Sequence, residues 1–161
     1  MPSGSRTVGV ATGPAASLAA LGVPTAPPGD VGRVLVPVDW QSVGLMSAPA
    51  AGAGAAMTIT LPAPDVGHVY RVERIAVSTT LADSTTVATV YVGDPAPHNI
   101  ADRTTDGDGG PVGDQNQPIL VPGGVPLTIQ WTGAGITAGA IAYARVQYTV
   151  CAIVTGRIGG S

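Results

Sequence analysis

The sequence predicts an all-β protein: an antiparallel β-sandwich or jelly roll that follows an extended, irregular amino-terminal arm. From Met57 onward, apolar residues recur at every second position in short runs, which is the period of half-buried strands. Gly- and Pro-rich turns separate these runs, and no long amphipathic helix pattern occurs among them. Residues 1–55 are instead dominated by Ala, Gly, Pro and Ser and mostly lack either period. We therefore expect an arm over residues 1–55 and a sandwich domain over residues 56–161.

Two short elements are expected within the arm. Pro14 and Gly22 enclose an Ala- and Leu-rich stretch with the signals that begin and end a short helix. The run RVLVPVDW at residues 33–40 predicts a short strand. Because Pro37 cannot donate a ladder hydrogen bond, this strand should lie at a sheet edge or at a contact between subunits. The rest of the arm should be extended or irregular.

The arm strand also supplies the candidate contact residues. Its apolar side chains Val34 and Val36 and its terminal aromatic residue Trp40 are the expected partner contacts. Trp40 could fill an apolar pocket on a neighbouring subunit or pack on its own sandwich, and the sequence leaves both open. An arm with so little apolar pattern cannot bury itself, so we expect contacts with other chains to order it.

In the expected strand 68–80, the apolar residues change from even-numbered to odd-numbered positions. Tyr70 and Val72 share one parity, whereas the next two apolar residues, Ile75 and Val77, share the other. A single continuous pleat cannot bury all four on the same side. A β-bulge or sharp bend near Glu73–Arg74 is therefore predicted.

The rest of the sandwich divides into strands and turns. The Asp-rich segment 96–117 predicts a long surface loop. Two runs on either side of Pro122-Gly123-Gly124 give the strongest hairpin signal of the sequence. In the second run Trp131 shares a parity with Leu127 and Ile129 and should lie in the core. The expected strands are residues 57–61, 68–80, 86–92, 118–121, 127–132 and 144–152.

The charge content excludes several classes of partner. Only 11% of the residues are charged, about half the usual share for a soluble domain, so much of the surface depends on Thr, Ser and Gln or is covered by neighbouring subunits. The net charge of −3 and the scattered Arg residues give no clustered basic surface that would bind nucleic acid. No apolar stretch reaches the ~18 residues of a membrane-spanning helix. Residues 7–23 are apolar, but Gly9, Gly13 and Pro14 interrupt them, so a secretory signal is not expected.

Residue types that carry catalysis are few. His68 and His98 are the only histidines, and neither accompanies a nucleophile-elbow pattern, so each should be solvated or locally hydrogen-bonded. Glu73 is the only glutamate, which gives no support for a paired-carboxylate site. Cys151, the only cysteine, lies in the apolar run VCAIV and should be a buried, unreactive thiol. We predict no catalytic residue and no cofactor, and hence that the chain is not an enzyme.

The best candidates for a metal site are Asp106 and Asp108 in the acidic loop, with Asp102 and Asp114 nearby. Calcium favours several oxygen ligands on a flexible loop. The spacing does not match an EF-hand, however, and acidic Gly-rich loops are usually soluble turns. No metal site is therefore predicted.

Five segments of the sandwich region carry a family resemblance: VERIAVS (72–78), VYVGD (90–94), VPGG (121–124), LTIQWTG (127–133) and ARVQY (144–148). Together they make residues 70–150, about half of the chain, resemble small β-sandwich virion proteins of tailed phages that infect actinobacteria. The segments describe strands and turns rather than catalysis, and a shared fold does not fix a function.

The resemblance implies a structural protein on the exterior of the virion, present in many symmetric copies. A capsid decoration (cement) protein or head fibre would contact copies of itself and the major capsid protein or other virion proteins, with its arm gripping the shell. A tail or baseplate component that binds the host surface through residues 96–117 is the alternative within this class. A secreted carbohydrate-binding module is the alternative outside it.

Overall fold

The structure is a computed structural model, and it describes residues 31–81, 85–104, 111–112 and 117–157. Within these residues the chain forms nine strands and one 3-10 turn, Pro97–Asn99. The helix predicted between Pro14 and Gly22 lies outside the described residues. The strands are β1 (Val31–Met46), β2 (Met57–Leu61), β3 (His68–Thr79), β4 (Val87–Val92), β5 (Ile100–Thr104), β6 (Pro111–Val112), β7 (Ile119–Pro122), β8 (Leu127–Thr132) and β9 (Ala142–Arg157).

The strands form two antiparallel sheets that share one core. The first, the β9 sheet, has the order β1-β9-β3-β6, and β7 also pairs with β3. The second, the β8 sheet, has the order β2-β8-β4-β5. The strand pairs of both sheets are antiparallel, and buried residues from both sheets belong to one hydrophobic cluster. This arrangement confirms the predicted all-β class.

The core is built around one large aromatic residue. Trp131 is completely buried, together with Leu127 and Ile129 of the same strand, as their shared parity predicts. The chain contains no Phe, and mostly aliphatic side chains fill the remaining space. Those from the β9 sheet include Val72, Ile75, Val121 and Val146.

The predicted β-bulge is present in β3. Val72 lies opposite Tyr148 and Arg74 lies opposite Gln147, so Glu73 is the extra residue. Because of the bulge, Val72 before it and Ile75 after it both face the core, although one has an even and the other an odd position; they are 2% and 0% exposed. The Oε1 atom of Glu73 accepts a hydrogen bond from the Thr149 hydroxyl at 3.0 Å, which fixes the bulge to β9.

The hairpin predicted around Pro122-Gly123-Gly124 is wrong, although both of its strands form. β7 pairs with β3, whereas β8 pairs with β2 and β4, so the turn carries the chain from one sheet to the other. Val121 and Leu127, on either side of the turn, are both completely buried and enter the core from opposite sheets. A Cβ atom on Gly123 would lie 2.8 Å from the Asp65 carbonyl oxygen, so this crossing requires glycine.

The acidic segment 96–117 is also not a single loop. It contains the 3-10 turn and strands β5 and β6, and β5 pairs with β4 to form an edge of the β8 sheet. The residues of β5 are exposed or half-buried, so this strand leaves no alternating apolar signal in the sequence. Asp106 and Asp108 lie outside the described residues.

β1 is much longer than the strand predicted at residues 33–40. It spans 16 residues and pairs along its length with β9, at the sheet edge that Pro37 predicts. The chain then stays beside the sandwich, because the N–H groups of Ser47, Ala50 and Gly54 donate to backbone carbonyls at 2.7–2.9 Å. The expectation that other chains order the arm therefore does not hold for residues 31–55. Ladder hydrogen bonds hold this segment without a strong apolar pattern.

Candidate interaction surface

The β1–β9 ladder runs further than the β3–β9 ladder on the other side of β9. β3 pairs with β9 only as far as His68 and Ala152, and beyond this the Gly67 carbonyl accepts a hydrogen bond from the Ile153 N–H at 2.8 Å. β1 continues to pair with β9 out to Val31 and Arg157. Residues 31–36 and 152–157 therefore form a two-stranded projection, which we call the ribbon.

One face of the ribbon continues the core face of the β9 sheet. Opposite residues in a ladder project to the same face, and alternate residues of a strand share a face. Val154 therefore lies on the same side of β9 as the buried Tyr148, and its ladder partner Val34 shares that side. This surface, called the ribbon face, consists of Val34, Val36, Ala152 and Val154.

On β9, exposure on this face rises from the body of the sandwich to Val154, whereas on β1 it does not rise further towards the tip, where Gly32 is buried. In β9, Val146 is 0% exposed and Tyr148 is 7% exposed, whereas Val154 is 43% exposed. On β1, Val34 and Val36 are 38% and 43% exposed. The apolar core face of the sheet thus continues onto the ribbon, where it is open to solvent.

The structure does not bring the three predicted contact residues together. The register of the β1–β9 ladder shifts between Pro37 and Asp39, so Val38 is an extra residue. Trp40 pairs with Thr149 and therefore lies on the face opposite to Val34 and Val36. Trp40 is 55% exposed, so it does not complete the packing of its own sandwich. The predicted contacts lie on two surfaces.

Two tyrosines stand where the ribbon face meets the core. The ring centroids of Tyr70 and Tyr148 lie 4.5 Å apart, and the rings are tilted by 44°. Burial raises the pKa of both phenols, with smaller contributions from the charge of Asp65 for Tyr70 and from Tyr70 and Asp39 for Tyr148. Aromatic rings and carboxylates therefore border the apolar ribbon face.

A small polar pocket adjoins these tyrosines. It encloses about 220 Å³ and is lined by Asp65, His68, Tyr70 and Val150. The Nδ1 atom of His68 is buried there without a hydrogen-bond partner, which differs from the solvated or hydrogen-bonded histidine that the sequence predicts. His98, the other histidine, is exposed in the 3-10 turn.

The opposite face of the β9 sheet carries a shallow apolar depression of about 510 Å³. Its floor is formed by small residues, Gly44 and Ala76, and its rim by Met46 and Tyr143, which are 64% and 40% exposed. Small side chains on β1 and β3 leave this hollow beside Arg145 and Tyr143 of β9. It is a second apolar surface, separate from the ribbon face.

Cys151 is a buried thiol, as its apolar surroundings predict. It is 2% exposed and lies between Pro37 and Val69 in the ladder. Burial raises the pKa of the thiol, Arg71 acts in the opposite direction, and Glu73 raises the pKa further. A thiol that is covered and held protonated is a poor nucleophile.

Among the described residues, no three His, Cys, Asp or Glu side chains come close enough together to hold a metal ion. The same part of the chain contains no helix with the length and hydropathy needed to cross a bilayer.

Comparison with known proteins gives similarities of fold alone. No protein-family model matches the chain, and no curated protein matches it. Among solved structures, the chain is similar to a chain from the acidic stable capsid of Helicobacter pylori bacteriophage KHP30, with a TM-score of 0.47 and 10% identity over 77% of this chain and 98% of that one.

Two further solved structures contain a similar region within a longer chain. One is an aminopeptidase from a marine sediment archaeon of the Thaumarchaeota, with a TM-score of 0.32 and 9% identity, where 78% of this chain matches 35% of that one. The other is the enzymatically active domain of tailspike protein 4 of bacteriophage CBA120, with a TM-score of 0.30 and 21% identity, where 77% of this chain matches 19% of that one. Likeness at this level concerns the arrangement of strands and does not fix a function.

Proposed function

We propose that this chain is a phage virion structural protein, a capsid decoration (cement) protein or head fibre on the exterior of the particle, and not an enzyme. The open ribbon face carries the proposal. Monomeric proteins rarely leave the apolar face of a sheet uncovered next to a long, unpaired strand edge, because such an edge pairs with other chains. The resemblance of residues 70–150 to phage virion proteins supports the same class.

The edge of β1 is suited to a permanent contact. β1 spans 16 residues and forms a sheet edge that no other described strand pairs, although Pro37 and the extra residue Val38 interrupt it. The free backbone N–H and C=O groups of an edge strand can pair with another chain. Here the edge carries Val34, Val36, Val38 and Trp40, each more than one-third exposed. Burial of these side chains against another virion protein would remove apolar surface from water, which is the main driving force of association.

The mechanism would be cementing. A decoration protein that spans a boundary between capsid subunits adds buried area to both, and the added area raises the barrier to their separation. Residues 31–55 belong to the sandwich, so the segment left to grip the shell is residues 1–30. This segment is rich in Ala, Gly, Pro and Ser, and Arg6 and Asp30 are its only charged residues.

The experiment is to purify the particles made by the genome that encodes this chain and to label them with a gold-coupled antibody against the sandwich. The proposal expects the chain in the particles by mass spectrometry, with gold over the head. Gold over the tail would favour the tail or baseplate alternative. Absence of the chain from purified particles would refute a virion role.

A further inference from the structure

The ribbon face is an apolar surface whose three valines are exposed in the described part of the chain. Within the body of the sandwich, the same face of β9 is covered by the β8 sheet, which buries Val146 and Tyr148. Beyond Ala152 only β1 and β9 continue, and Val34 and Val154 become exposed. A two-stranded ribbon is marginally stable in water, so its apolar face gains from a third element that packs on it.

The border of the ribbon face is acidic. Asp39 pairs with Val150 and therefore lies on the same side of the sheet as the ribbon face, and its carboxylate accepts a hydrogen bond from the Gln41 side chain. Asp65 lines the pocket beside Tyr70. The basic side chains Arg33 and Arg145 belong to the opposite face, because they share the parity of Thr155 and Gly44. The surface thus suits an occupant that is apolar and carries a cation.

A second ribbon is a poor occupant. A second ribbon face brings no cation to Asp39, because Arg33 and Arg145 lie on the opposite face of the sheet. Three half-exposed valines also supply far less than the ~800 Å² per partner of a stable interface. A short peptide segment needs less area when it is held close by other contacts.

The amino-terminal segment of the chain has the matching chemistry. Residues 6–10 read RTVGV, so Arg6, Val8 and Val10 share one parity, and Arg6 is the only basic residue among residues 1–30. In an extended segment, two valines and one arginine would project to the same side. We propose that residues 6–10 of a neighbouring copy pack on the ribbon face, with Val8 and Val10 on its valines and Arg6 beside Asp39.

The direction of the chain favours a neighbouring copy. β1 begins at Val31, at the far end of the ribbon, and runs from there towards the sandwich. Because the chain enters β1 at this end, a segment that covered the ribbon face of its own copy would have to reverse direction, whereas a segment from a neighbouring copy would not. This step rests on the proposed function, which places many copies side by side.

The test uses disulfide trapping in the full-length protein. Two preparations carry Cys151→Ala to remove the native thiol, one with Val8→Cys and an affinity tag, the other with Val36→Cys. They are mixed and oxidised mildly, and mixed dimers are measured on a non-reducing gel. The matched control replaces Val36→Cys by Thr155→Cys, which lies on the opposite face of the same ribbon and is also exposed.

The proposal expects several-fold more mixed dimer with Val36→Cys than with Thr155→Cys. It also expects Arg6→Ala to lower the yield by about two- to fivefold at low salt, the loss of one exposed ion pair. Equal trapping at both positions would overturn it. A variant with Val8→Cys and Val36→Cys in one chain tests the source, since a predominantly intramolecular disulfide would overturn the neighbouring copy.

The two proposals fail in different ways. If the chain is found in particles but the two trapping positions do not differ, the virion role stands and residues 6–10 do not occupy the ribbon face. If trapping is specific in the purified protein but the chain is absent from particles, the contact stands and the virion role is refuted.

Discussion

The two tryptophans show how position decides what a side chain contributes. Trp131 is completely buried at the centre of the core, whereas Trp40 is 55% exposed on β1. We predict that Trp131→Ala lowers the free energy of unfolding by about 3–5 kcal/mol, the cost of a large cavity. Trp40→Ala should change it by less than ~1 kcal/mol. Urea unfolding of both variants checks this, and equal losses would contradict the assignment of Trp131 to the core.

Gly123 is required by a close approach of two backbones. A Cβ atom there would meet the carbonyl oxygens of Asp65 and His68 at 2.8 and 3.1 Å. Gly123→Ala should therefore destabilise the protein by about 1–3 kcal/mol, as overpacking does. A Cβ atom on Gly44 in β1 would meet no atom within 4 Å, so Gly44→Ala is the matched control and should be neutral or slightly stabilising. Thermal unfolding in parallel distinguishes the two, and a similar loss in both would count against the crossing turn.

Three fully or partly buried ionisable groups, Cys151, Tyr148 and Tyr70, predict a loss of stability in alkali. Folding raises the pKa of Cys151 above its ordinary value of 9.0, and the pKa values of Tyr70 and Tyr148 above 10.0. As pH rises through these ordinary values, the unfolded chain ionises first and is favoured. The stabilisation is complete below about pH 9 and is lost progressively above it.

The measurement is the free energy of unfolding between about pH 8 and pH 11. It should fall with pH, and the combined variant Tyr70→Phe and Tyr148→Phe should flatten the fall above about pH 10. Cys151→Ala should flatten the fall in the free energy of unfolding that begins near pH 9.0, the ordinary pKa of a thiol. A slope unaffected by all three substitutions would show that other groups control it.

At the scale of elements, a break in strand register can be predicted from the sequence only where it interrupts the alternation of buried and exposed side chains. The bulge at Glu73 was predictable because buried side chains on both sides of it changed parity. The shift between Pro37 and Asp39 was not, because the residues around it are exposed and leave no buried pattern. It reverses the face of Trp40, so the predicted contact residues separate onto two surfaces.

Pairing partners were harder to predict than strands. Both strands beside Pro122-Gly123-Gly124 were recognised from their apolar alternation, but alternation does not say which sheet a strand joins. β5 was missed because neither of its faces is deeply buried. Half of the length of β1 was missed because most of its side chains are exposed or half-buried, and β9 holds it mainly through backbone hydrogen bonds.

β1 predicts a sharp difference between two truncations. Removal of residues 1–30 leaves every described strand intact, so the shortened chain should fold with little change in its circular dichroism and melting temperature. Removal of residues 1–55 deletes β1 and exposes the 16-residue edge of β9. That variant should unfold or aggregate. A stable, monomeric protein lacking residues 1–55 would show that β1 is dispensable to the sandwich.

At the scale of the molecule, a sandwich with a complete hydrophobic core carries a ribbon whose apolar side chains are exposed. The core is complete without a partner, since Trp131 and its neighbours are fully buried. In contrast, apolar side chains remain exposed on the ribbon face and along the edge of β1, where Trp40 lies. Sequence alone indicated contacts in this region through Val34, Val36 and Trp40, but the face that continues the core became visible only once the ladder register was known.

The most direct test of the central claim is a cryo-electron microscopy map of the native particle at side-chain resolution. The account predicts that the sandwich lies on the particle exterior and that protein density from another chain covers Val34, Val36 and Val154. A map in which the chain is present but its ribbon face and the edge of β1 are open to solvent would contradict it.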